Sequence, residues 1–188
     1  MRKDSASKGS AHKDSTFAER VRARIRDVPD YPKPGILFKD ITPLLGEAAL
    51  FADVCEAMAE PFRDASVSHV AAIESRGFLF GGPIAISLTA AAVPVRKRGK
   101  LPYTAESEEY ALEYGSDALE MHIDALPEGA QVLVVDDLLA TGGTAAATCR
   151  LVERLGGRVV GCSFLIRLGF LDGLSRLANR RVSSLIAY

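Results

Sequence analysis

The sequence predicts an α/β fold built on a central, mainly parallel sheet flanked by helices. Three observations carry that expectation. Apolar runs at residues 70–73, 93–95, 132–135 and 159–166 read as strands, the unbroken 132–135 as one buried on both faces, and 182–187 reads as a last strand. Helical segments lie between several of them, and strand–helix alternation makes successive strands parallel. The loops after three of these runs are rich in charge or in glycine, and ligands of open α/β sheets bind at that end of the strands.

Composition narrows the class. At 188 residues, 48% apolar and 25% charged, the chain reads as one soluble domain over residues 16–188 behind a tail at 1–15. Its net charge of −1 implies no general attraction to nucleic acid or to a membrane. Cys55, Cys149 and Cys162 are odd in number and far apart, which fits a reducing compartment better than a disulfide framework. His12, His69 and His122 lack metal-ligand spacing. No apolar run reaches spanning length, since Pro94 interrupts the nearest at 85–95, and no hydrophobic signal region opens the chain. A cytoplasmic protein is expected.

The elements follow in order. Residues 1–15 are Lys, Ser and Asp with little that is apolar, the composition of a disordered tail. Thr16 and Glu19 fit a capping box, Phe17, Val21, Ile25 and Val28 recur at helical spacing, and Pro29 should stop that helix. Residues 30–40, DYPKPGILFKD, form a constrained connector before the short apolar piece 36–38. Phe51, Val54, Cys55, Met58 and Phe62 mark the core face of a helix over 50–62. The strand at 70–73 runs into Glu74, Ser75, Arg76 and Gly77, then a helix at 78–88. Arg76 offers a planar fork for phosphate oxygens, with an ion pair to Glu74 as the alternative.

After the strand at 93–95, Arg96, Lys97, Arg98 and Lys100 put four cations within five residues. They repel one another unless an anion is near; a solvated basic loop is the alternative. Residues 103–115 are acidic without a core stripe, as in a lid or a disordered excursion, and 118–123 should pair back as a hairpin. Past residue 156 come a strand at 159–166, a short helix at 171–178 and a last strand at 182–187.

The chain is organised around VLVVDDLLATGGTAAAT at 132–148. Asp136 and Asp137 are costly to bury and should emerge where the strand ends. Gly142 and Gly143 permit φ > 0 and a close backbone approach to a ligand. Thr141 and Thr144 add hydroxyls, and Thr144 is placed to cap the alanine-rich helix. Amides at a helix N-terminus favour an anion, and a carboxylate pair suits a diol. The stretch reads as a ribose-phosphate cradle. It lacks the Gly-Lys-Ser/Thr of a P-loop and the G-x-G-x-x-G of a dinucleotide fold, whereas an Mg²⁺ site like that of a receiver domain stays open on these residues alone.

VVDDLLATGGT resembles the phosphoribosyl-pyrophosphate signature of the type I phosphoribosyltransferases, in the wording of their adenine branch. AAIESRGFLFG is similar to that family's pyrophosphate loop, RKRGKLP to its RKxGKLP string, LEYG to its lid motif, and DYPKPGILFKD to the hood over the base. The resemblance covers about residues 16–188. It implies a type I phosphoribosyltransferase-like fold with a small N-terminal hood (about 16–45) and a hairpin lid (about 101–118). It further implies transfer of a phosphoribosyl group from phosphoribosyl pyrophosphate to adenine, giving AMP and pyrophosphate, in a homodimer. Mg²⁺ would be carried by the sugar pyrophosphate rather than held directly by the protein.

Carried over residue by residue, Asp136 and Asp137 would hold the ribose hydroxyls, and Ala140, Thr141, Gly142, Gly143 and Thr144 the 5-phosphate. Ser75, Arg76, Arg96, Lys97, Lys100 and Tyr114 would serve the pyrophosphate, some of the cations across a dimer interface. The backbone of Leu37 and Lys39, with the Phe38 ring between them, would read adenine, and Leu168 would pack on its face. Glu113 would handle the purine's proton, and the Glu74–Ser75 bond would be cis. Lys39 stands where the family usually has arginine. A transferase for another purine and a nucleotide-sensing regulator of the same fold are the readings this one competes with.

Overall fold

The computed structural model describes residues 17–111 and 116–188. It divides into two compact units, Met1–Val54 and Cys55–Tyr188.

In the first unit, residues 17–22 form a helix, α1. It stops earlier than the apolar spacing suggested, because Arg26–Pro29 is a strand, β1, paired antiparallel with β2, Leu37–Asp40. Val28 faces Phe38 across this ribbon instead of continuing a helix. The segment read as a connector is thus half strand. Asp27 lies opposite Lys39 in the register, and the Lys39 ammonium sits 2.6 Å from the Asp27 carboxylate. The Tyr31 and Phe38 rings meet edge to face at 5.1 Å. A short helix, α2, spans Thr42–Leu45.

Helix α3, Ala48–Ala59, is followed by a 3₁₀ segment, Glu60–Ala65, where Pro61 denies the α-ladder a donor. The second unit is built on β3 (His69–Ile73), α4 (Gly77–Ser87), β4 (Ala91–Lys97), β5 (Ala105–Ala111), β6 (Ser116–His122), β7 (Gln131–Leu139), α5 (Gly143–Arg154), β8 (Arg158–Arg167) and β9 (Val182–Ala187). Among the described residues seven strands form one sheet in the order β5-β6-β4-β3-β7-β8-β9. The five from β4 to β9 run parallel; β6 and β5 are antiparallel.

The strand order explains where the site falls. From β3 the chain passes through α4 to β4 on one side; β7 lies on the other side of β3 and passes through α5 to β8. Right-handed crossovers that move apart leave a crevice at the carboxyl ends of β3 and β7. Packing follows the pleat. Ala71, Ile73, Val132 and Val134 share a cluster with Ala145, Cys149 and Val152 of α5. Alternate residues face α4, where a Cβ on Gly81 would collide with the Cβ of Ala72.

The expected hairpin is present: residues 105–111 form a strand in register with β6, held to α5 through Arg150–Glu108 at 2.5 Å and Arg154–Glu106 at 2.6 Å. One further expectation is corrected. Residues 171–178 are two 3₁₀ turns, Gly169–Leu171 and Ser175–Leu177, because Asp172 between them is left-handed (φ 49°). Among the described residues, no helix is long and apolar enough to cross a membrane.

Candidate active site

The carboxyl ends of β3, β4 and β7 and the start of α5 surround an open cleft of about 540 Å³. Of the residues expected to bind a ligand, Ser75, Arg76, Lys97, Lys100, Asp136, Asp137, Ala140 and Thr144 line it. Their convergence follows from the register: β3 and β7 are hydrogen-bonded neighbours, Ala72 opposite Val135, so the turn at 74–76 and the acidic pair begin side by side.

The acidic pair does not simply emerge from the sheet. β7 continues through both aspartates to Leu139, and Asp137 is 5% exposed. Arg76 makes this burial tolerable: its Nε lies 2.7 Å from Oδ2 of Asp137. The Asp137 backbone N–H donates to Oδ1 of Asp136 at 2.8 Å. Burial, then repulsion from Asp137, push Asp136 well above the ordinary carboxylate range. Burial raises Asp137 too, but the Arg76 guanidinium holds it back.

Glu74 has other partners than the Arg76 proposed as its alternative. It accepts from the Lys100 ammonium and from the Lys97 backbone N–H at 3.0 Å, with Arg96 Nε 3.4 Å away. Burial alone would raise its carboxyl, but those donors and charges bring it below its usual range. The basic string thus meets anions of the protein itself: Lys97 faces Asp117 at 3.2 Å and Arg98 faces Glu109 at 3.0 Å. Arg96 also donates to the Lys100 carbonyl at 2.9 Å, which folds the string back on itself. The Glu74–Ser75 peptide is cis.

At the other end of the cleft, Gly142 is the N-cap of α5 and is left-handed (φ 77°). Gly143 is already helical, so Gly142 is the member of the pair with positive φ. Thr144 is the second helical residue and no side chain caps the helix, contrary to the cap expected of it. The hydroxyl is left to the cleft. The amides of Gly143, Thr144 and Ala145 have no partner within the helix, which makes its start a ready anion site. A Cβ on Gly142 would run into the Gly173 carbonyl, so this loop is seated against the turn at 172–174. Thr141 is exposed, and Leu168 follows β8, its N–H on the Leu139 carbonyl at 2.9 Å.

Leu37, Phe38 and Lys39 belong to β2 of the first unit, where Leu37 is half exposed. Glu113 and Tyr114 lie outside the described residues. Sequence reasoning missed the roles of four residues. Gly77 lets α4 approach β7, since a Cβ there would stand 2.9 Å from the Val135 carbonyl. Glu74 gathers the cations, and Tyr110 and Asp117 link them to α5. Gly77 followed directly on the quoted Glu-Ser-Arg and was legible in principle; the others carry no local signal.

A switch-point cleft with a carboxylate pair on one wall, cations on another and a helix N-terminus at its end defines the phosphoribosyltransferase class. The family model described as phosphoribosyl transferase domain matches residues 43–181. The adenine phosphoribosyltransferase of Myxococcus xanthus is 57% identical over 175 residues, 93% of this chain and 95% of that one. A crystal structure of the enzyme from Rhodothermus marinus, 54% identical, superposes with a TM-score of 0.89 over 93% of this chain and 99% of that one. The Saccharomyces cerevisiae structure, complexed with adenine and an imino-altritol bisphosphate, is 38% identical with a TM-score of 0.86 over 91% and 99%. The chain belongs to the adenine phosphoribosyltransferase family.

Proposed function

We propose that the chain transfers the phosphoribosyl group of phosphoribosyl pyrophosphate to adenine, releasing AMP and pyrophosphate, as a cytoplasmic homodimer in purine salvage. The observation that carries the reading is the cleft itself. Its walls match the donor's three groups in charge and kind: a helix start for the 5-phosphate, a carboxylate pair for the ribose diol, and cations for the pyrophosphate. The preference for adenine rests on the family and on the hood segment around Leu37–Lys39.

In this mechanism N9 of adenine attacks the anomeric carbon while the bond to pyrophosphate breaks and its electrons leave with the pyrophosphate oxygen. The ribose becomes cationic in the transition state. Asp137, held beside Arg76, and Asp136 stabilise that charge from a fixed position. Arg76, Lys97, Lys100 and Arg96 receive the leaving group, with Ser75 supplying polar groups at the turn and Tyr114 a further contact. Gly142, Gly143 and Thr144, with Ala140 and Thr141, hold the 5-phosphate. The backbone of Leu37 and Lys39 orients the base beneath Phe38, Leu168 packs on its face, and Glu113 takes up the purine's proton.

Mg²⁺ fits this cleft as a passenger of the donor. Glu74 and Asp137 already carry cation partners, so the donor's own phosphate oxygens would be the hard ligands for the ion. When bound it neutralises charge on the departing pyrophosphate.

The test is pyrophosphate release from phosphoribosyl pyrophosphate and Mg²⁺ with adenine, hypoxanthine, guanine or uracil offered separately. Release with adenine alone is expected. Release with another base would discard the hood reading, and tight donor binding without release from any base would replace the enzyme with a nucleotide sensor. Elution at twice the monomer mass in size-exclusion chromatography is the result expected for the dimer.

A further inference from the structure

Three polar side chains from three strands form a continuous chain along the cleft and end beside the first turn of α5. Lys97, at the end of β4, places its Nζ 3.2 Å from Oδ2 of Asp117 near the start of β6. The Tyr110 hydroxyl on β5 donates to the same oxygen at 3.2 Å. Thr144, in the first turn of α5, lines the same cleft as that phenol, and Gly143 beside it shares a second pocket with Tyr110. The other Asp117 oxygen accepts the Ala118 N–H at 2.8 Å, so both carboxylate oxygens are committed. Tyr110 is 8% exposed, and Tyr110, Lys97 and Thr144 all line the cleft.

The chain rests on a rigid support. Glu106, Glu108 and Tyr110 are alternate residues and share one face of β5. The two glutamates are ion-paired to Arg154 and Arg150 of α5, and the Glu108 side chain is only 14% exposed. Tyr110 therefore stands on a strand already fixed to the helix that begins at the Gly142 loop. Burial, then the Asp117 charge, raise its phenol, so it remains a neutral donor. Burial would also raise Asp117, but the Ala118 N–H and the Lys97 ammonium bring it below its usual range.

We propose that Asp117 and Tyr110 are positioning residues that hold Lys97, at the pyrophosphate end of the cleft, in place against the first turn of α5, at the 5-phosphate end, and so set the distance between the two anion subsites of the sugar donor. The physical reason is pre-organisation. Lysine has a long flexible stem, and ordering it at binding costs affinity. A donor whose two anionic groups are held apart by a ribose ring gains most from subsites already at that spacing. The inference rests on the reading of this cleft as a donor site.

The experiment is steady-state kinetics of the full chain with adenine, phosphoribosyl pyrophosphate and Mg²⁺, comparing wild type with Tyr110→Phe, Asp117→Asn and the double variant, alongside thermal melting. Each single variant should raise the donor KM about five- to tenfold, the size of one lost hydrogen bond. Adenine KM and kcat should stay within about twofold of wild type by the same argument, since neither variant removes a group that touches base or reacting atoms. The double variant should be no worse than the more damaging single, because the residues act in series. A donor KM unchanged in Tyr110→Phe, effects that multiply in the double, or a parallel loss in adenine KM would overturn the proposal. If Asp117→Asn fails to melt cooperatively, Tyr110→Phe decides alone, since it removes one hydroxyl and keeps the ring. A wild type that neither binds nor turns over the donor would overturn the donor-site reading and this inference with it.

Discussion

Arg76 Nε lies 2.7 Å from Oδ2 of Asp137, joining the turn after β3 to the buried end of β7. The pair reconciles two demands. A guanidinium that faces a leaving pyrophosphate and a carboxyl that faces a cationic ribose are each unfavourable alone at the edge of the sheet, and each supports the other.

Replacing Arg76 with alanine should therefore act beyond pyrophosphate binding. Without the guanidinium, the Asp137 carboxyl rises further, because the guanidinium is what opposes burial there. Turnover should fall by about 10²-fold or more, and the acid limb of the kcat/KM profile should move to higher pH. A fall in rate with an unmoved acid limb would show that Arg76 serves the leaving group only.

Asp136→Asn should make the protein more stable and less active. A carboxyl whose pKa is raised by folding binds more protons folded than unfolded. Stability then declines as pH climbs from 3.8, the ordinary value, through the raised one. The amide escapes that cost. At neutral pH a gain of about 1 kcal/mol is expected, a melting point higher by ~2–4 °C, and the advantage should shrink as pH falls towards the ordinary carboxylate range. Melts of both proteins across pH 4–8 (chosen to be about this window) test it.

Glu74→Gln should show the opposite sign. Its carboxyl is lowered in the fold, so its contribution is complete above the ordinary value of 4.5 and is lost as pH falls through the lower folded value. The variant should lose about 1–3 kcal/mol at pH near 7 in urea denaturation, and the gap to wild type should close in acid.

Gly77→Ala and Gly82→Ala form a matched pair within α4. A Cβ at Gly77 would stand 2.9 Å from the Val135 carbonyl and 3.0 Å from an Asp136 oxygen, whereas one at Gly82 meets nothing within 4 Å. The first should cost about 1–3 kcal/mol and raise the donor KM, since α4 must back away from the acidic pair. The second should be neutral or stabilising by up to about 1 kcal/mol through helix propensity. Equal effects in the two melts would contradict the close approach assigned to Gly77.

Much of this protein is legible without coordinates. Apolar runs such as 132–135 mark buried strands because an unbroken β-branched stretch has no face left for water. The Asp-Asp and Gly-Gly signals of the cradle are local, since they follow from what adjacent residues of those types do at a strand end and a helix start. Where the reading failed, a distant partner or a local turn decided. Residues 26–29 left a helical spacing because 37–40 offered them a ladder, and 171–178 broke into two 3₁₀ turns around the left-handed Asp172. Which carboxylate Arg76 meets, which anions quiet the basic string, and that Tyr110 lines the cleft beside Thr144 depend on contacts between residues tens of positions apart. The chain itself determined the strands, the loops and the charges they carry. Only the strand order, which sets β3 between β4 and β7, decided which of those charges face one another, because ion pairs and hydrogen bonds act over a few ångströms of space and not along the sequence.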